Sequence, residues 1–391
     1  MKKKIIIVGH ALRLGGVETS LIGLLQSFDY SRYEVDLFLY LHDGEFMPHI
    51  PKEVNVLPQN TSYASLLLPF NQNTFRLKTA KVLAKIYAFS FCKIKNIAGE
   101  NFVYLLNLHR IAHWFLPKVN TKKYNLGISF LSPHYTLSKK LTAIKKVAWI
   151  HTDYSMYALD EKHELVMWKS FDKIAAIGNH SLKVFAQKFP SLKDKCMVVE
   201  NILPQDFVKR RSKEFTVAFE KKHINLCSIG RFSYPKNFDN IPEITRNLLN
   251  HGVSVKWYII GYGSDEALIN AKIKEYNVEE SVILLGKKSN PYPYIKACDV
   301  YVQPSRYEGK AVTVREAQML HKPVVITNFP SAKSQLADGF DGIILPMETN
   351  AFSIALKDFL KDITLQEKLI HNCKNSDFSN QLEINKIYNL S

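Results

Sequence analysis

Short, fully apolar runs that end in glycine or a polar loop, separated by helix-length segments, constrain this 391-residue chain more than any other feature. Lys4–Val8 reads as a buried strand, Gly9–Gly16 as a loop, Val17–Phe28 as a helix and Val35–Tyr40 as the next strand. In the helix, Leu21, Leu24, Leu25 and Phe28 share a face. Strand, glycine loop, helix, strand opens an α/β unit with a parallel sheet. Further apolar runs at Phe102–Leu106, Leu126–Phe130, Lys146–Ile150 and Lys173–Ile177 predict more strands.

The pattern restarts near residue 205. Strands are predicted at Ile224–Ile229, Val255–Ile260, Val282–Leu285, Val300–Gln303, Val324–Thr327 and Gly342–Leu345. Helices are predicted at Phe238–His251, Glu266–Tyr276 and Gly309–Leu320, with a mostly helical end from Phe352. The repetition is architectural, since no sequence repeat is visible. Two α/β domains follow, 1–203 and 204–374, with a last segment 375–391. Ligands of open α/β sheets sit beyond the carboxyl ends of the strands. There the chain places Gly15–Gly16, His151, Gly230–Arg231, Gly261–Gly263 and Ser305–Glu316.

Composition narrows the class. Hydrophobic residues at 46% and charged residues at 23% exclude a disordered or low-complexity chain. Fifty-two Lys and Arg against 36 Asp and Glu give a net charge of +16, which suits phosphorylated ligands, anionic lipid or nucleic acid. No motif for nucleic acid accompanies it. Five widely spaced cysteines without a CxxC pair fit a reducing compartment. The opening apolar run is too short for a signal peptide, and no stretch is long enough to span a bilayer, so a cytoplasmic location is expected. Residues 65–95 stand apart. Leu66, Leu67, Leu68, Pro69 and Phe70 precede a basic helix in which Lys78, Lys81 and Lys85 share a side. Leu77, Val82, Ile86, Phe89 and Cys92 fill much of the rest. This pattern fits contact with an anionic membrane surface, and equally a packed helix with a solvated lysine face.

Glu308 and Glu316 are the sharpest chemical feature, placed at the mouth of the Gly309–Leu320 helix and two turns into it. Free N–H groups at such a helix start bind a diphosphate, and the carboxylates bind sugar or ribose hydroxyls. Read alone, the pair fits a capping and a surface glutamate as well. Arg231 and Lys236 after a strand can neutralise a leaving diphosphate without a metal, or simply be solvated loop cations. Gly230, Gly263, Gly15 and Gly16 allow close backbone approach. His151 in WIHTD can contact a sugar, with Asp153 nearby, or be a satisfied core histidine. No metal-ligand cluster, GxSxG, P-loop or GxGxxG is present.

In order and spacing, GGVETSL (15–21), WIHTD (149–153), IGRFSYPKN (229–237), GYG (261–263), PSRYEGKAVTVREA (304–317) and KPVVITNFPSAKSQL (322–336) resemble the retaining glycosyltransferase family 4 of bacterial cell-surface polysaccharide enzymes. The resemblance implies the GT-B fold. Two Rossmann-like domains would face each other across a deep cleft, and a C-terminal helix within Phe378–Leu390 would cross back to the first. It implies a nucleotide-sugar donor, UDP-linked, a lipid-linked or oligosaccharide acceptor, retention at the anomeric carbon and no cofactor or metal. Glu316 would bind the ribose and Glu308 the donor sugar. Arg231, Lys236 and Gly230 would hold the diphosphate, and the backbone of Ala311, Val312 and Thr313 its distal phosphate. Gly15 and Gly16 would add contacts, and His151 would meet the sugar's 6-hydroxyl region. Lys310 and Ala311 depart from the small or glycine residues common there. The rival readings are a UDP-N-acetylglucosamine 2-epimerase-like enzyme and a non-catalytic nucleotide-sugar-binding protein. Location on the inner face of the bacterial membrane is implied, with no nucleic-acid partner.

Overall fold

The computed structural model describes residues 2–391 except 73, 97–99, 153, 157 and 158. Asp153 therefore lies outside the described residues. The chain divides into two units, Met1–Ile202 with Gln381–Ser391, and Leu203–Asn380.

The first unit is built on β1 (Lys3–Gly9), β2 (Tyr33–Leu39), β3 (Asn55–Val56), β4 (Lys123–Ser129), β5 (Thr142–Ile150), β6 (Lys173–Ala176) and β7 (Cys196–Val198). They form one parallel sheet in the order β3-β2-β1-β4-β5-β6-β7. Ile5, Ile6 and Ile7 are completely buried, as expected of a central strand covered on both faces. The helix Gly16–Gln26 buries Leu21, Ile22, Leu24 and Leu25.

The second unit repeats the plan with β8 (Ile224–Ile229), β9 (Val255–Ile260), β10 (Val282–Gly286), β11 (Val300–Gln303), β12 (Val324–Thr327) and β13 (Ile343–Leu345). Its order is β10-β9-β8-β11-β12-β13, again parallel throughout. In each sheet the direction of winding reverses beside the first strand, between β1 and β4 and between β8 and β11. Those reversals leave the crevices where ligands of such sheets bind.

Three expectations are corrected. Phe102–Leu106 is not a strand but part of the helix Glu100–Ala112. A short apolar run fits either element, and here its partner decides: the helix Phe75–Lys95 lies against it, and Ala88, Cys92 and Val103 share a cluster. The orientation of Phe75–Lys95 also differs. Its buried face is the small-residue stripe Leu77, Ala80, Ala84, Ala88 and Cys92, together with Lys81. The larger side chains of Val82, Ile86 and Phe89 are exposed. Lys81 is thus not on a solvated face; its ammonium donates to the carbonyls of Ser65 (3.0 Å) and Leu68 (2.7 Å) at the end of the helix Thr61–Leu67. Third, the helix expected at Gly309–Leu320 starts only at Val312, so Glu308 belongs to the preceding loop.

Candidate functional site

The β8–β11 crevice is assembled from two loops stitched together. After β8, Gly230 and the exposed Arg231 lead into the single turn Tyr234–Lys236, which ends at Asn237 in the left-handed conformation. After β11 come Pro304, Ser305, Arg306 and Glu308. The Asn237 amide donates to the Pro304 carbonyl at 2.8 Å, and the Arg306 N–H to the Pro235 carbonyl at 2.8 Å. Arg306 adds a two-pronged bridge to Asp239, both contacts at 2.8 Å, and a 2.7 Å bond to the Tyr234 carbonyl. Its guanidinium also lies 4.3 Å from the centre of the Tyr234 ring.

This clamp presents Lys236 to Glu308 at 2.5 Å. Ser305 Oγ donates to the same carboxylate oxygen at 2.7 Å and accepts from Gln303 at 3.0 Å. Ser331 Oγ donates to the Glu308 carbonyl at 2.6 Å. A β-carbon on Gly230 would stand only 3.1 Å from Lys236 Cε, so glycine leaves room for the lysine stem. At Gly261 and Gly263 the requirement for glycine is backbone approach: an added β-carbon would overlap the carbonyls of Gly230 and Phe232. The Gly261–Gly263 loop thus buttresses the Gly230–Phe232 loop, joined by the 2.9 Å bond from Phe232 N–H to the Tyr262 carbonyl.

On the helix Val312–Met319, Glu316 is buried and accepts from the Tyr292 hydroxyl at 3.0 Å. Burial raises its pKa to about 7, with the Tyr292 bond pulling weakly the other way. Ala311, the residue before the helix, does not have a free N–H: it donates to Gln335 Oε1 at 2.6 Å, and Gln335 Nε2 donates back to its carbonyl at 3.2 Å. Ala311 has no polar side chain to cap the helix, and the N–H groups of Val312 and Thr313 fall in its first turn, which has no intrahelical acceptors.

The first unit places its predicted residues separately. Gly15 and Gly16 open the helix Gly16–Gln26, with the Gly15 carbonyl accepting from the Thr19 N–H at 3.0 Å. A β-carbon on Gly15 would strike Glu18 Oε2. His151 directly follows β5, its ring 4.6 Å from that of Phe130. Burial drives its pKa down to about 3, so the imidazole is neutral.

Within the second unit the structure therefore brings together Gly230, Lys236 and Glu308, and sets Glu316 on the helix that follows. Sequence reasoning missed Tyr292, Arg306, Asp239, Ser305 and Gln335. Ser305, Arg306 and Gln335 lay inside motifs it had quoted; Tyr292 and Asp239 carry no local signal, because only the fold makes them neighbours of the site.

Residues 209–376 match the family described as Glycosyl transferases group 1. Among curated relatives, the amylovoran biosynthesis glycosyltransferase AmsD of Erwinia amylovora is 26% identical over 212 residues, 54% of this chain and 58% of that protein. The N-acetylgalactosamine-N,N'-diacetylbacillosaminyl-diphospho-undecaprenol 4-alpha-N-acetylgalactosaminyltransferase of Campylobacter jejuni is 26% identical over 211 residues, 54% of this chain and 56% of that protein. The alignments span just over half the length of these relatives. Among solved structures, Anabaena Alr3699/HepE in complex with UDP superposes with a TM-score of 0.65 at 15% identity, covering 99% of this chain and 98% of that one. A mutant of Staphylococcus aureus TarM, in complex with Fondaparinux, alpha-GlcNAc-glycerol and UDP, gives 0.69 at 14% identity and 99% of both chains. The two parallel-sheet units are those of the GT-B fold. Over residues 209–376, less than half of its length, the chain is similar to the glycosyl transferases group 1.

Proposed function

We propose that this protein is a retaining, metal-independent glycosyltransferase of bacterial surface-glycan assembly. It moves a hexose or N-acetylhexosamine from a nucleotide sugar, UDP-linked, to a hydroxyl of a lipid-linked acceptor. The observation that carries the reading is the Lys236–Glu308 pair at the β8–β11 reversal, followed by a helix with a buried carboxylate, Glu316. The names of the relatives, one of them acting on a diphospho-undecaprenol, and the UDP in the related structures support donor and acceptor.

On this reading Lys236 and Arg231 stabilise the diphosphate as the glycosidic bond breaks. A lysine ammonium has three donor hydrogens, and the Glu308 bond uses one. Glu308, held by Lys236 and Ser305, receives the donor sugar's hydroxyls. Gly230, Gly263 and the first-turn backbone at Ala311, Val312 and Thr313 form the phosphate cradle; Gln335 must release the Ala311 N–H for it to take part. Glu316 accepts from the ribose diol. Gly15, Gly16 and His151 are the first unit's contribution to substrate binding.

The protein is further proposed to work in the cytoplasm on the inner face of the membrane, held peripherally. No helix among the described residues is long and apolar enough to cross a bilayer. The support is the outward face of Phe75–Lys95, where Phe75, Val82, Ile86 and Phe89 are exposed, and the exposed Trp114 and Phe115.

Calorimetric titration with UDP-sugars tests the site through Glu316. Ribose hydroxyls favour the ionised carboxylate, whereas burial keeps it protonated up to about pH 7. Binding must therefore expel a proton at lower pH. Affinity should fall as the pH drops below 7, toward about tenfold per pH unit. Glu316→Gln should weaken binding at pH 8 and flatten that slope; unchanged affinity in the variant would remove the ribose role.

A further inference from the structure

Gly15 and Gly16 are exposed, yet the loop that carries them is held by a neighbour. Beyond the paired ends of β1 and β2 the two chains continue side by side. The Leu41 N–H donates to the His10 carbonyl at 2.9 Å, the Leu12 N–H to the Asp43 carbonyl at 2.8 Å, and the Phe46 N–H to the Leu12 carbonyl at 2.9 Å. Leu12 and Phe46, 0% and 3% exposed, anchor the two loops in the core. The turn Asp43-Gly44-Glu45 comes this close because glycine stands at its centre. The φ of Gly44 is 119°, and a β-carbon there would overlap the carbonyl of Leu12. One side chain completes the contact: Glu45, half-buried, accepts from the Leu14 N–H at 3.1 Å.

The bond to Glu45 acts where it matters for the glycines. The backbone bonds between the two loops reach Leu12. Arg13 adds a 2.7 Å bridge to Asp43, but both side chains are more than half exposed, and such pairs hold little. Leu14 directly precedes the glycine pair, and its acceptor is a carboxylate, the stronger kind. Consecutive glycines have more backbone freedom to lose than other residues. With no fixed residue ahead of them, their peptide groups would meet a ligand poorly aimed. On the far side the loop runs into Gly16–Gln26, where the Thr19 N–H and hydroxyl donate to the Gly15 carbonyl at 3.0 and 3.1 Å. The pair is thus bracketed by the helix after it and by Glu45 before it.

We propose that Glu45, seated by Gly44, is a positioning residue that aims the Gly15–Gly16 backbone for the substrate contact given to that pair under the transferase reading, on which this inference rests. Glu45 acts through the Leu14 N–H and touches no substrate. Its role is that of a hydrogen-bond acceptor, so an uncharged acceptor of the same length serves nearly as well and a methyl group does not.

Two measurements test it together. One is steady-state release of UDP from UDP-glucose, UDP-galactose, UDP-N-acetylglucosamine and UDP-N-acetylgalactosamine, with membrane lipid extract as the source of acceptor. The other is amide hydrogen exchange at Leu14 in 15N-leucine-labelled protein. Glu45→Ala should lower kcat about tenfold on the donor that the wild type uses, through a misaimed loop. It should also speed exchange at Leu14 about tenfold, the loss of one charge-assisted bond. Glu45→Gln should bring both back to within about threefold of the wild type, because the amide oxygen still accepts. Gly44→Ala should lower kcat as Glu45→Ala does, since its added carbon pushes the turn off the Leu12 carbonyl. If Gly44→Ala fails to fold, the two Glu45 variants decide. A wild-type kcat in Glu45→Ala, unchanged exchange at Leu14, or a glutamine variant as slow as the alanine variant would overturn the positioning role. A wild type that releases UDP from none of the four donors would overturn the transferase reading and this role with it; that failure shows in the unsubstituted protein, whereas failure of the role alone shows only in the variants.

Discussion

Arg306 shows how a residue with no claim to the chemistry can govern it. Its planar fork grips Asp239 twice while its face lies on Tyr234, which lysine cannot imitate. What it holds is the turn that presents Lys236, at Tyr234 and Pro235, and Asp239 in the turn directly after it. Lys236→Ala should lower kcat about a hundredfold, the usual loss on removing one electrostatic donor to a developing negative charge. Arg306→Lys should lower kcat less, roughly tenfold, with donor KM nearly unchanged, because the clamp positions Lys236 and touches no donor. Steady-state release of the nucleotide measures both. A wild-type kcat in Lys236→Ala would remove its role, and an Arg306→Lys effect confined to KM would remove the positioning account.

The helix Phe75–Lys95 carries the lesson of the element scale. Heptad-like spacing in its sequence offers two candidate inner faces, one of large side chains and one of alanines. The alanine face wins, since small residues let the helix approach Glu100–Ala112, and Ala80, Ala84 and Ala88 are all fully buried. At about 100° per residue, Phe75, Val82, Ile86 and Phe89 then fall within about 60° of arc on the outer side, flanked by Lys78 and Lys85. Replacing Val82, Ile86 and Phe89 together with serine should cut co-sedimentation with anionic vesicles at least about tenfold. Lys81→Met should instead lower stability by about 1–3 kcal/mol in denaturant titration, by leaving the Ser65 and Leu68 carbonyls short of a donor, and should leave vesicle binding intact. Equal vesicle binding by the serine variant would end the membrane reading.

At the scale of the molecule, the chain leaves the first unit after Ile202 and returns to it at Gln381. The return is anchored. The Tyr388 ring stacks on Tyr33 at 4.5 Å, its hydroxyl accepts from the Asp29 N–H at 2.7 Å, and Ile387 is fully buried. Tyr388→Ala should therefore destabilise the first unit by about 3–5 kcal/mol, seen as a lowered Tm for that unit in calorimetry. A Tm within error of the wild type would show that the last residues are only loosely held.

The sequence by itself determined two α/β units with parallel sheets and the candidate residues at their strand ends, while the strand order and its reversals came from the structure. Fully buried strands must be continuous apolar runs, and the turns after β1, β8 and β9 must carry glycine, so both signals are written locally. It also determined the motif glutamates, lysine and arginine, and through them the resemblance to a glycosyltransferase family. Only the tertiary structure decided which face of Phe75–Lys95 turns inward and that Phe102–Leu106 is helical. It alone showed that Gln335 occupies the Ala311 N–H, that Tyr292 meets Glu316, and that the turn after β2 holds the loop after β1. Each of these depends on neighbours distant in sequence, and burial, which sets the faces and the pKa values, is a property of the packed chain and not of any local stretch of it.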